Sequence, residues 1–159
     1  MKKISVLVML FISVTIFIHA QELMEKKVTI YLVSSNVDIN GKVEYRLIMY
    51  DSNGDIDIND LTTVVKKTRE QKGTVYWVVT DGIKEIEEIK AKSDTSIIFK
   101  NGAKKLENGK KYMLRLPDNI PNPGEEIKDK YFIKYKPLDK DTTITIDPFI
   151  RIPPPDAGN

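Results

Sequence analysis

Apolar and polar residues alternate with a period of two through most of the chain, the pattern of strands that each bury one face. The strongest stretch is Thr74 to Thr80, Thr-Val-Tyr-Trp-Val-Val-Thr, which holds the only tryptophan. Val75, Trp77 and Val79 fall on one face; Thr74, Tyr76, Val78 and Thr80 fall on the other. Both faces can bury material, so this is the expected central strand, with Val75, Trp77 and Val79 as core. Gly73 and Asp81-Gly82 punctuate its two ends.

Other strands follow from the same period. Lys27 to Val33 is a first strand, Ser34 to Gly41 is turn chemistry, and Asn40-Gly41 predicts a tight hairpin into a second strand, Val43 to Tyr50. Leu61 to Thr68, Thr95 to Lys100 and Lys110 to Leu116 are further strands. Tyr131 to Lys136 and Thr142 to Ile146 form a second hairpin around a turn at Leu138 to Asp141, and Phe149 to Ile152 closes the series. Between Pro117 and Gly124 three prolines make a rigid loop. Ile83, Ile86 and Ile89 break the rule, recurring every third residue; the short length and flanking strands favour an irregular strand over Ile83 to Lys92, with a helical turn or two as the alternative. Eight or nine strands at sandwich-like spacing, with no long helix and no repeat, predict an all-β fold: an antiparallel Greek-key β-sandwich.

The amino terminus departs from this pattern. Lys2 and Lys3 precede an apolar run from Ile4 to Ile18, and Ala20 stands where a small residue before a cleavage site belongs. Residues 1–20 therefore read as a secretory signal peptide, and residues 21–159 as one domain with a short Pro153-Pro154-Pro155 tail. A spanning anchor takes ~20 apolar residues, and Glu22, Glu25, Lys26 and Lys27 follow too soon. Export to the periplasm, cell surface or medium is expected, with no stable membrane insertion after cleavage. No cysteine exists to carry a lipid.

Cleavage changes the charge balance. The whole chain has 25 Lys and Arg against 23 Asp and Glu; without Lys2 and Lys3 the balance is zero. That leaves no basic footprint for nucleic acid. The only histidine, His19, lies in the leader. The exported chain then has neither imidazole nor thiol, which excludes zinc and copper sites built on them, Ser-His-Asp and Cys-His nucleophiles, and haem attachment.

One stretch has the look of a site. Asp51, Asn53, Asp55 and Asp57 take the first, third, fifth and seventh positions of a calcium loop. The run from Asp51 to Leu61 resembles the start of a dockerin repeat, but Ile56 replaces the turn glycine, Thr62 stands where the bidentate acid belongs, and no second copy follows. The competing reading is a polar turn at Asn53-Gly54 between strands.

Lys72 to Trp77 followed by Asp81-Gly82, and then Gly109 through Tyr112 to Pro117-Asp118, resembles the second half of a cupredoxin. Where that family carries its cysteine this chain has Leu116, and Asp118 and a Pro-Asn-Pro-Gly loop stand in place of the histidine and methionine. The resemblance implies a shared sandwich without its copper site. Asp147-Pro148 before Phe149 to Ile152 resembles the last strand of an immunoglobulin-like module, where proline lets an edge strand bend.

Three functions stay open. The first is an exported, non-catalytic module that binds a protein or glycan partner and needs no cofactor; Tyr31, Tyr45, Tyr50 and Tyr135 are platform candidates for a sugar, against half-buried packing as the alternative. The second is a calcium-dependent module on the 51–57 loop. The third is a carboxylate hydrolase, which requires two acids ~5 to 9.5 Å apart across a cleft, a pair no feature of the sequence selects.

Overall fold

The computed structural model describes residues 25–51, 56–57, 61–67, 71–118 and 124–154. The expected leader, Asn53, Asp55 and the tip of the proline loop lie outside the described residues. Among the described residues there are eleven strands and one 3-10 turn, Glu107–Gly109. The strands are β1 (Lys26–Ile39), β2 (Lys42–Asp51), β3 (Ile56–Asp57), β4 (Thr62–Val64), β5 (Gly73–Asp81), β6 (Ile83–Ala91), β7 (Lys104–Leu106), β8 (Lys111–Arg115), β9 (Ile127–Pro137), β10 (Ile144–Ile146) and β11 (Phe149–Ile152).

Two sheets form an all-β sandwich. The first has the order β2-β1-β5-β8-β7, and the second β10-β9-β11-β4-β3 with β6 on the other edge of β9. Most pairs are antiparallel, but each sheet contains one parallel pair, β1 with β5 and β4 with β11. The Trp77 strand is the middle of the first sheet, as its two-sided pattern predicts.

Register explains the core. Val28, Ile30 and Leu32 of β1 lie opposite Val75, Trp77 and Val79 of β5, which in turn face Leu114 and Tyr112 of β8. Val75 and Trp77 are fully buried, and Val79 is partly buried against the same core. Tyr131, Ile133 and Tyr135 of β9 meet them from the second sheet, each fully buried. The Trp77 indole N–H donates to the Tyr131 hydroxyl across the interface at 3.2 Å. Phe99 and Tyr131 close on the indole at ring-centroid distances of 6.2 and 5.6 Å.

Asn40 and Gly41 both take positive φ, 56° and 79°, and join Ile39 to Lys42 in a two-residue hairpin, the turn whose twist matches paired strands. The first strand runs further than its apolar pattern implies, through Ser34 to Ile39. Its polar end pairs with β2 beyond the core, where Asn36 and Tyr45 hydrogen-bond the Asp139 carboxylate at 3.2 and 3.3 Å.

The three-residue spacing of Ile83, Ile86 and Ile89 is a bulged strand. Register shifts between Ile83 and Glu85, and again between Ile86 and Glu88, leave Lys84 and Glu87 without partners in the ladder on β9. Each bulge inserts one extra residue, so a period of two becomes three and all three isoleucines stay inward.

Thr95 to Lys100 is not a strand, contrary to its apolar appearance; residues 93–101 form successive turns. Asp129 of β9 organises them, accepting from the Ser96 hydroxyl and, at 2.8 Å, from the Ile98 N–H. Ile98 and Phe99 are consecutive yet both buried, which a strand's alternation does not permit.

Pro148 interrupts an otherwise continuous strand. β10 and β11 keep one register along β9, Ile146 opposite Ile133 and Phe149 opposite Lys130. The proline sits where that strand passes from the sheet edge to the interior between β9 and β4, a place where a missing N–H is tolerated.

Candidate functional site

The two outer faces of the sandwich differ in chemistry. On the second sheet most outward side chains are charged, with Lys134 paired to Glu88 at 2.8 Å and Lys136 to Glu87 at 3.2 Å, and the half-buried Phe132 and Phe149 lie beneath lysines 4.5 to 5.3 Å from their ring centres. The Thr143 hydroxyl and then Lys136 hold the Glu87 carboxyl below its usual range, and Glu87 raises Lys136 in return. That is a solvated face.

The first sheet has an uncharged patch at the middle of its outer face, flanked by Arg46 on β2 and by Lys111 and Arg115 on β8. Tyr31 stands opposite Tyr50 and Val33 opposite Ile48 across β1 and β2, while Val78 continues the Tyr31 row on β5 and Tyr76 lies one step along it. Ile48 and Tyr50 are each 43% exposed, and the other four are half-buried. Lys111 lies over the Tyr76 ring at 5.0 Å, so even the cation beside this face is held against an aromatic.

Of the four tyrosines considered from sequence, the fold brings two together. Tyr31 and Tyr50 stack with centroids 5.2 Å apart and planes inclined by 23°. Rings lying flat side by side cannot come so close, so each covers part of one face of the other. Tyr135 is fully buried, with its phenol pushed up by burial. Tyr45 sits at the far end of the hairpin beside Asp139, with Lys140 over its ring at 5.3 Å.

The acidic loop is only partly described. Asp51 ends β2 opposite Ile30, on the inward side shared with Leu47 and Met49, and is buried. Asp57 lies in β3 opposite Thr62. Among the described residues no three acidic groups come together in a way that would hold a metal ion.

Lys67 gave no sequence signal. It is 5% exposed, its Nζ donates to the Gln71 carbonyl at 2.7 Å, and burial pushes its ammonium pKa down against the opposing pull of Asp118. Shifted lysines serve as nucleophiles, but the carbonyl contact gives this one a structural part. Among the described residues no helix is long and apolar enough to cross a membrane.

The fold and this face define a two-sheet β-sandwich with an uncharged tyrosine-bearing patch on one outer surface. The sequence matches no family model, and no curated protein matches it.

Proposed function

We infer that this chain is an exported, non-catalytic module that binds a protein partner through the outer face of its first sheet. The observation that carries the reading is the patch of Tyr31, Val33, Ile48, Tyr50, Tyr76 and Val78, a contiguous uncharged surface, whereas the aromatics of the opposite face, Phe132 and Phe149, lie under lysines among ion pairs. Exposed apolar patches of this kind mark interaction sites, and tyrosine is enriched where they bury. The stacking of Tyr31 on Tyr50 covers one face of each ring and so reduces the open aromatic surface on which a sugar would stack. The leader-like pattern of residues 1–20 supports export, and the absence of cysteine and of histidine beyond position 19 removes the nucleophiles and metal ligands that most exported enzymes would need.

The test compares capture by the wild-type protein with capture by an Ile48→Glu, Tyr50→Ser variant from the envelope fraction of its native cell. A cross-strand aromatic pair contributes ~0.2 to 1 kcal/mol, so the variant should keep its fold while losing a specific protein band at least tenfold. Equal capture by both proteins removes this face from consideration. Retention by a polysaccharide gel that the variant abolishes would replace the protein partner with a glycan.

Calcium separates the reading from a calcium-dependent module on Asp51, Asn53, Asp55 and Asp57. Binding to the native state raises the Tm by mass action. Melts in millimolar calcium and then in chelator should coincide; a rise reversed by chelator would move the function to that loop.

A further inference from the structure

We propose that the cleft beside β6 is a separate binding site, for a small anionic ligand with an apolar body. It lies between the two sheets on the side of β6 away from β9, with a volume of about 550 Å³, within the ~300 to 1,000 Å³ of small-molecule sites. The inference does not depend on the outer face.

The cleft floor is apolar and comes from three parts of the chain: Ile89 of β6, Phe99 of the turn segment and Tyr112 of β8. Tyr112 donates its hydroxyl to the Glu87 carbonyl, joining β8 to β6 beneath the opening. Small residues keep the walls thin. Ala91, Gly102 and Ala103 all line the space, and a Cβ added at Gly102 would meet nothing within 4 Å. The turn segment is set by the Asp129 carboxylate through Ser96 and Ile98. A cleft held this way needs little ordering when a ligand enters.

Charge selects the ligand. Five charged residues line the opening: Lys90, Lys100, Lys105, Glu88 and Asp94. Glu88 is taken by Lys134 at 2.8 Å and Lys105 by Glu85 at 3.3 Å. Glu85 and Glu87, which with Glu88 also act on the Tyr112 hydroxyl, are held by Lys105 and Lys136. That leaves the ammonium groups of Lys90 and Lys100, neither in an ion pair among the described residues, against the carboxylate of Asp94. The surplus is positive. An aromatic or aliphatic body on the Ile89, Phe99 and Tyr112 floor would place a carboxylate, sulfonate or phosphate within the field of the two lysines.

The probe is 1-anilinonaphthalene-8-sulfonate, with its uncharged analogue N-phenyl-1-naphthylamine for comparison. The protein should bind the sulfonate saturably at one site and at least tenfold more tightly than the neutral dye. Lys90→Glu with Lys100→Glu should weaken the sulfonate at least tenfold and leave the neutral dye unchanged. Ala103→Phe, which fills the wall, should abolish both, and Tyr50→Ser should alter neither. Circular dichroism establishes that each variant is folded; if Ala103→Phe is not, the exposed lysine pair decides alone. The proposal is overturned if the sulfonate does not saturate, if charge reversal leaves its affinity unchanged, or if Tyr50→Ser removes it. The last outcome would put the dye on the outer face, whereas loss of partner capture with dye binding intact would concern that face only.

Discussion

Replacing Trp77 with alanine is expected to lower the unfolding free energy by ~3 to 5 kcal/mol, the cost of deleting a large buried aromatic. The indole is fully buried in the middle strand of the first sheet, stacks with Phe99, meets Tyr131 edge-on and donates a hydrogen bond to the Tyr131 hydroxyl. Alanine removes the ring and leaves that hydroxyl without its donor in a buried place. Burial already pushes the Tyr131 phenol well above its usual range, the indole N–H opposing. Against a total stability of ~5 to 15 kcal/mol, such a loss is a large fraction. Far-UV circular dichroism in urea is the right measurement, since the variant lacks the only tryptophan as a fluorophore. A midpoint equal to that of the wild type would mean that the indole does not hold the sheets together.

The second large effect is expected at Gly82, where alanine should prevent folding. The chain passes here from β5 in one sheet to β6 in the other. Gly82 has a φ of 67°, and a Cβ on it would lie 1.9 Å from the Ser34 carbonyl oxygen and 2.9 Å from the Ser34 carbonyl carbon. Both are backbone atoms of β1, so no side-chain rotation relieves the overlap. The Gly82 carbonyl also accepts from the Leu138 N–H at 3.0 Å, which ties the corner to the end of β9. Gly102→Ala is the matched control: its φ is 65°, but nothing lies within 4 Å of the added Cβ. It should lose only the ~1 to 2 kcal/mol of a left-handed alanine. If the two variants melt together, the close approach to Ser34 is not part of the native state.

The candidate surface is only half legible in the sequence. Tyr31, Tyr45, Tyr50 and Tyr135 look alike in alternating strands, and period alone cannot say which face of a strand meets a second sheet. Tyr135 belongs to β9, whose odd positions point inward; Tyr31 belongs to β1, whose odd positions point outward. The Asp51 to Asp57 spacing suggests a cation loop, of which the structure describes Asp51, inward on β2 opposite Ile30, and Asp57 in β3. The cleft beside β6 left no mark, because Ile89, Phe99 and Tyr112 are brought together by strand pairing and by the Asp129 contacts rather than by spacing.

Local pattern by itself determined the all-β class, the middle strand around Trp77 and the Asn40-Gly41 hairpin. Each depends on forces acting within a few residues: side-chain alternation, aromatic and β-branched preference, and tolerance of positive φ. Only the tertiary structure decided that β1 lies parallel to β5, that two bulges turn a three-residue spacing into a strand, and that Ile98 and Phe99 sit in capped turns. Those outcomes are set by partners far along the chain, β9 and Asp129 among them, whose contacts outweigh the preferences of the segment itself.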